Sequence, residues 1–190
     1  SSGTTQGKSK IIPCSQKMFD YFLKMQTKTM SMICCLAEMK LTEPVITFGA
    51  KKLNEKINEL ETLYISEMIT SSAPKFMKPF RYPSADIINI DDNSEKLRQI
   101  YEQTKNINIR ALGGIPCQVY NSVNEFLKLS GKKKLNEIWP DLSLIAYSGT
   151  SIENYEYQLN EKIGKQIKYL GIYNATEGPI AIEIPDLIKN

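Results

Sequence analysis

Residues 107–131 read INIRALGGIPCQVYNSVNEFLKLSG, and this stretch carries the signals of a strand followed by a helix. Ile107 to Leu112 is mostly apolar and is short enough for a strand. Pro116 then suits the first turn of a helix, where its missing N–H costs nothing, and Gly131 suits the position just past the helix end. A strand that leads into a helix, instead of a tight hairpin, predicts an α/β architecture.

The same alternation continues in both directions along the chain. Apolar runs predict further strands at Val45–Phe48, Leu142–Tyr147, Ile167–Tyr173 and Pro179–Ile184. Helices are predicted from Ser15 as N-cap toward Leu36, from Leu53 through Ile57, Leu60 and Tyr64, after Ser94 as N-cap, and at Ser151–Ile163. Three prolines predict an extended connection over Ser71–Pro83. We therefore expect one α/β unit over residues 1–190, a β-sheet layered with helices.

Composition excludes several classes of function. The chain has 190 residues, 42% of them hydrophobic, and a formal net charge of +3 without a basic stripe, so a nucleic-acid partner is disfavoured. Apolar runs fall short of the ~20 residues that a membrane helix needs, and a secretory leader is not recognisable, so we expect a cytoplasmic protein without a membrane partner. Because histidine is absent, a Ser-His-Asp or Cys-His nucleophile system cannot be built from this chain. Cys34 and Cys35 lie in an apolar, Met-rich stretch and are expected to be core thiols.

The first ten residues, SSGTTQGKSK, have the composition of an anion cradle. Glycines let the backbone approach a polyphosphate, hydroxyls and N–H groups donate to its oxygens, and lysine adds a positive charge. The run is not a Walker P-loop, because only three residues separate Gly3 from Gly7, where that motif needs four. Taken alone, the run could equally be a Ser/Gly-rich end with no ligand.

A second run, YNATEG at 173–178, changes this interpretation. Together the two runs resemble the nucleotide motifs of the acyl-acid amido synthetases of the GH3 family, a branch of the adenylate-forming ligases. Further phrases that resemble bacterial members of the family are GIP at 114–116, SGKKKLNEIWPDL at 130–142 and SGTSIENY at 148–155. In the first motif the matching residues are Ser1, Ser2, Gly3, Thr4, Thr5, Gly7, Lys10 and Pro13; in the second they are Tyr173, Asn174, Ala175, Glu177 and Gly178, with Thr176 as a conservative hydroxyl.

The resemblance implies a role for each matched position. The first motif would hold the terminal phosphates of ATP through Ser1, Ser2, Gly3, Thr4, Thr5, Gly7 and Lys10. Gly149, Thr150 and Ser151 would border the adenine and ribose, with Tyr173 beside the nucleotide and Thr176 at the α-phosphate. Glu177 would bind Mg²⁺, which takes carboxylates together with phosphate oxygens; an ordinary solvated acid at a turn is the alternative. Gly114, Ile115 and Gln118 would border the pocket for the acyl group.

The implied reaction joins a carboxylic acid to an amino acid by way of an acyl-adenylate, with ATP and Mg²⁺. Family members are two to three times as long as this chain, so we expect an internal piece of the N-terminal domain, inactive by itself because the C-terminal lid with its catalytic lysine is missing. A nucleotide-binding remnant without turnover stays open as an alternative. A kinase or NTPase is disfavoured by the failed Walker spacing. The acid, the amine and the oligomeric state are not specified by any motif.

Several positions depart from the family or carry no reacting role. Ser148 stands where bacterial relatives usually have glycine, and Gln118 stands where they commonly have tryptophan. A polar Gln118 indicates either a different acid or a surface position. Trp139 is expected to be a core residue, and the lysines at 132–134 a solvated helix end.

Overall fold

In the computed structural model, the fold is described for most of the chain. The described residues are 12–49, 55–57, 59–62, 64, 67–68, 73–175 and 178–183. Residues 1–10 of the first nucleotide motif, Thr176 and Glu177 lie outside them, whereas Pro13 of the first motif lies within them.

Six strands of the described chain form one sheet, in the order β4-β1-β5-β6-β7-β8. All neighbouring pairs are parallel except β7 with β8, which are antiparallel. The strands are β1 (Val45–Thr47), β4 (Arg81–Tyr82), β5 (Ala111–Gly114), β6 (Leu144–Tyr147), β7 (Lys168–Ala175) and β8 (Gly178–Ile182). A separate two-stranded hairpin pairs β2 (Glu55–Ile57) with β3 (Leu60–Thr62).

Helices connect the parallel strands. They are α1 (Gln16–Ala37), α2 (Ala85–Ile88), α3 (Asn93–Thr104), α4 (Pro116–Ser130) and α5 (Glu153–Ile163), with short 3₁₀ helices at Lys75–Phe80 and Leu135–Glu137. None of the described helices is long and apolar enough to cross a lipid bilayer.

Alternating side chains of the strands face two different cores. On one face, Leu112 and Ile145 pack with residues of α3, α4 and α5 around the buried Trp139. On the other face, Ala111 and Leu144 pack beneath α1. Because the two faces bury consecutive residues of one strand, the strands read as continuous apolar runs, as in parallel sheets covered on both sides.

The predicted α/β class is confirmed, and so are most of the predicted elements. Ser15 caps α1, its side chain accepting a hydrogen bond from the N–H of Met18 at 3.2 Å. Pro116 opens α4, and Gly131 ends it at φ 66°. Trp139 is fully buried, and its indole N–H donates to the carbonyl of Thr104 at 3.0 Å.

The helix predicted from Leu53 through Tyr64 is wrong. Ile57 pairs with Leu60 across a hairpin, and Glu59 between them adopts a positive φ of 68°. The spacing of Ile57, Leu60 and Tyr64 suits a helix, but so short an apolar pattern does not discriminate between the two states. The chain reverses direction at Glu59, so the two segments pair as antiparallel strands instead of continuing as one helix.

Three local predictions also need correction. The connection at Ser71–Pro83 holds the 3₁₀ helix Lys75–Phe80 and strand β4 instead of being extended throughout. Asp92, not Ser94, caps α3, because its carboxylate accepts from the N–H of Glu95 at 2.6 Å. Cys35 is exposed, since the buried side of α1 runs through Phe22, Thr29, Ile33 and Ala37 and residue 35 lies on the opposite side.

Candidate functional site

The parallel strands end at one edge of the sheet, and the acyl-side and adenine-side positions meet there. The N–H of Phe48, just after β1, donates to the carbonyl of Gly113 at 2.7 Å. The N–H of Ser148, just after β6, donates to the carbonyl of Gly114 at 3.3 Å. The segments that follow β1, β5 and β6 therefore lie side by side, in the place where open α/β sheets bind ligands.

Gly149 and Ile115 lie close together at this edge. Gly149 has φ 90°, a conformation that favours glycine. A Cβ at this position would lie 3.7 Å from the side chain of Ile115. Thr150 and Ser151 follow as exposed residues, and the hydroxyl of Ser151 accepts from the N–H of Glu153 at 3.3 Å, at the start of α5. One predicted adenine-side residue thus lies next to one predicted acyl-side residue.

A cleft of about 370 Å³ opens at the same edge, between α3 and α4. Ile115 and Gln118 line it, as do residues from the ends of β1 and β4. Gly114 lies behind it, where a Cβ would come within 3.2 Å of Phe48 and 3.4 Å of Val119, so the backbone passes too closely for a side chain without displacement. The lining residues are Thr47, Phe48, Gly49, Pro83, Ile88, Asn93, Lys96, Leu97, Ile100, Ile115, Cys117, Gln118, Asn121 and Ser122.

The lining is partly apolar and partly polar, and among the described residues Lys96 is its only charged side chain at neutral pH. Leu97 and Ile100 contribute apolar surface from α3, while Gln118 and Asn121 contribute amides from α4. The N-terminus of α4 is also at the cleft, and its N-cap residue Ile115 supplies no capping side chain. The positive end of a helix dipole adds to the attraction of an anion. The cleft therefore suits a small molecule with an apolar part and a carboxylate.

The second motif lies at the end of β7. Strand β7 continues through Ala175, which pairs with Gly178 of β8, so it ends two residues later than the predicted strand Ile167–Tyr173. Antiparallel pairing with β8 supplies hydrogen bonds that extend the strand. Tyr173 is 62% exposed, and the buried Oδ1 atom of Asn174 has no hydrogen-bond partner within the described residues.

Tyr147, Gly171 and Glu183 form a second contact beside this motif. The hydroxyl of Tyr147 donates to a carboxylate oxygen of Glu183 at 2.5 Å. Burial, reinforced by this hydrogen bond and by the negative charges of Glu183, Glu156 and Glu153, raises the pKa of Tyr147 above its usual range. The hydroxyl therefore stays protonated and acts as a donor at neutral pH.

Acidic residues at the start of α5 make the predicted adenine side of this edge unfavourable for a phosphate group. Glu153 and Glu156 occupy the first turn of α5, where they stabilise the helix dipole. Their charge would repel a polyphosphate next to Ser151 and leave this side suited to a base or a sugar. Within the described residues, no cluster of three His, Cys, Asp or Glu side chains could hold a metal ion. The roles of the first motif, Thr176 and Glu177 lie outside the described residues and stay predictions.

The prediction from sequence missed several residues of this edge. Lys96, Asn93 and Asn121 line the cleft but lie on helices without a recognisable motif. Glu183 follows the last described strand and carries no signal of its contact with Tyr147. Only the tertiary arrangement brings these side chains to the site.

Comparison with known proteins supports the fold. No family model matches the chain, and no curated protein matches it significantly. Among solved structures, the chain is similar to 2-hydroxyisobutyryl-CoA ligase in an open conformation in complex with 2-HIB-AMP and CoA, with a TM-score of 0.54 and 13% identity over 91% of this chain and 35% of the ligase. The same ligase in the thioesterification state, also with 2-HIB-AMP and CoA, gives a TM-score of 0.57 and 11% identity over 88% of this chain and 30% of the ligase.

These identities establish similarity of fold and nothing finer. The chain has an α/β fold with a mostly parallel six-stranded sheet, and this fold matches part of an adenylate-forming ligase. The chain spans about a third of the length of the ligase structures that it matches.

Proposed function

We propose that this chain is part of an adenylate-forming ligase of the GH3 type, which activates a carboxylic acid with ATP and transfers the acyl group to an amino acid. The observation that carries the proposal is the proximity of Gly149 and Ile115 at the edge of the sheet. It joins the residues assigned to the nucleotide with those assigned to the acid, and a ligase of similar fold has been solved with an acyl-AMP and CoA.

The proposed first step takes place between the cleft and the loop that follows β6. The apolar part of the acid packs in the cleft against Leu97, Ile100 and Ile115. A carboxylate oxygen attacks the α-phosphorus of ATP, the bond from that phosphorus to the bridging oxygen of the β-phosphate breaks, and pyrophosphate leaves. The chain contributes mainly by positioning the reactants and by offsetting charge. Mg²⁺ at Glu177, with the first motif around the β- and γ-phosphates, would neutralise charge on the leaving group.

In the proposed second step, the amine nitrogen of an amino acid attacks the acyl carbon. The bond from that carbon to the phosphate oxygen breaks, AMP leaves, and the amine proton passes to solvent. The choice of an amine rests on the GH3 motifs. Coenzyme A is the second candidate acceptor, because the structurally similar ligase was solved with CoA.

The test is product analysis of a longer protein, in which the coding sequence of this chain is extended by its flanking coding sequence. We expect AMP and pyrophosphate from ATP only when a carboxylic acid is present, a hydroxamate when hydroxylamine is added, and an amide when amino acids are added. A thioester as the main product would show that the acceptor is coenzyme A and not an amine, while the proposed adenylation would stand. ATP binding without turnover would indicate a remnant, and ADP as the product would reject adenylation altogether.

A further inference from the structure

Within the described residues, Lys96 has no counter-charge in the cleft. It lies on α3, is partly buried and lines the cleft, and no described carboxylate belongs to the lining. Its ammonium group forms no ion pair with the described carboxylates. An anion that enters the cleft can therefore pair with the ammonium group of Lys96.

The nearest acids along α3 are already engaged. Glu95 accepts from the guanidinium of Arg98 at 2.6 Å and from the amide of Gln99 at 2.8 Å. Asp92 accepts from the N–H of Glu95 at the start of the helix. Neither of these acids forms an ion pair with Lys96, so its ammonium group is available to a ligand.

Three amides in the lining are also without side-chain partners. Asn93, Gln118 and Asn121 form no side-chain hydrogen bonds within the described residues. Amides donate hydrogen bonds to carboxylate oxygens. They accompany Lys96 from both helices that flank the cleft, so the polar part of the lining is suited to hold an anionic group in a fixed orientation.

From these observations we propose that the cleft selects a short acid with two anionic groups, the second of which pairs with Lys96. The proposal rests on the proposed function in that the first carboxylate is the one activated at the end of β6. The volume of about 370 Å³ lies at the lower end of the usual range for ligand pockets, which favours a small acid over a long acyl chain. The amides of Asn93, Gln118 and Asn121 complete the recognition of the second group.

The test compares adipate with hexanoate, which have the same number of carbons and differ by one carboxylate. Calorimetric titration of this chain should show adipate binding about tenfold more tightly than hexanoate, and the difference should shrink as salt is raised. Lys96→Met should abolish the preference, and Lys96→Arg should keep most of it. Lys128→Met is the matched control, because Lys128 is an exposed lysine on α4 outside the cleft and its loss should change nothing.

Equal binding of the two acids, no binding of either, or a preference that survives Lys96→Met would overturn the inference. Circular dichroism verifies folding of each variant, and Lys96→Gln replaces Lys96→Met if that variant is unfolded. Acid-dependent ATP turnover is measured separately on the protein that includes its flanking sequence. Turnover with monocarboxylates alone would reject the proposed selection of acids with two anionic groups, while the proposed ligase function would stand. Binding of adipate through Lys96 without turnover for any acid would reject the proposed ligase function, while the proposed binding site would stand.

Discussion

The hydroxyl of Tyr147 reaches the carboxylate of Glu183 across Gly171, the residue that pairs with Tyr147 in the neighbouring strand. A Cβ at position 171 would lie 2.5 Å from Oε2 of Glu183 and 3.1 Å from the phenol of Tyr147. Glycine in the middle of β7 is therefore required by this contact between β6 and the residue that follows β8. The contact joins β6 to the residue after β8, across β7, the strand that leads into the second motif.

Gly171→Ala should break the contact and lower the free energy of unfolding by about 1–2 kcal/mol, because the methyl group displaces the carboxylate of Glu183. Gly113→Ala is the matched control. Its Cβ would lie no closer than 3.6 Å to any neighbour, and a change within about 0.5 kcal/mol is expected. Urea denaturation measures both. Equal effects of the two substitutions would contradict the importance of the contact.

Stability should fall in alkaline solution, because the pKa of Tyr147 is raised by burial and by its bond to Glu183, and the pKa of Tyr169 is raised by burial. Above the ordinary tyrosine pKa of about 10, the unfolded chain loses protons that the folded chain retains, so stability present below this pH is lost as pH rises. Each residue contributes a slope of up to about 1.4 kcal/mol per pH unit.

Tyr147→Phe should remove one of these two contributions. Urea denaturation between about pH 8 and about pH 11 measures the slope for parent and variant. Tyr157, which is 78% exposed, provides the control, and Tyr157→Phe should leave the slope unchanged. A Tyr147→Phe slope equal to that of the parent would show that the phenol titrates normally.

Gln118→Trp should weaken binding of the acid by about tenfold or more, because the larger side chain fills part of the cleft. Lys128→Trp places the same side chain on an exposed position of the same helix and should have no effect. Calorimetric titration with the acids described above provides the measurement. Unchanged affinity in Gln118→Trp would place the acid elsewhere.

Glu177→Gln keeps the size of the side chain and removes its charge. In the protein with its flanking sequence, the substitution should lower the rate of adenylation by about 10²-fold or more if Glu177 binds Mg²⁺. The thermal midpoint should stay within a few degrees of the parent. Titration of turnover against Mg²⁺ should show a weaker apparent affinity in the variant, whereas parental turnover would return Glu177 to the class of solvated surface acids.

Local signals account for the elements that could be predicted. Pro116 and Gly131 mark both ends of α4, and Ser15 caps α1, because each acts within a few residues of its own position. The hairpin at Ile57 and Leu60 could not be predicted, because the spacing of its apolar residues also suits a helix. The reversal at Glu59 also lacks a glycine, the residue that usually indicates such a turn.

The residues of the candidate site likewise fall into those that local sequence patterns could predict and those that only the tertiary fold brings together. Gly114, Ile115 and Gly149 belong to recognisable phrases, Gln118 follows one of them, and the fold brings all four to one edge of the sheet. Lys96 joins this edge because of how α3 packs beside α4, which no local pattern encodes.

The central claim, formation of an acyl-adenylate, is tested most directly by isotope exchange between pyrophosphate and ATP in the protein with its flanking sequence. Adenylation is reversible, so labelled pyrophosphate should enter ATP when a carboxylic acid is supplied and no acceptor is present. We predict exchange that requires the acid and Mg²⁺ and that is reduced by Gln118→Trp but not by Lys128→Trp. Absence of exchange with every acid, or exchange that does not depend on an acid, would contradict the account.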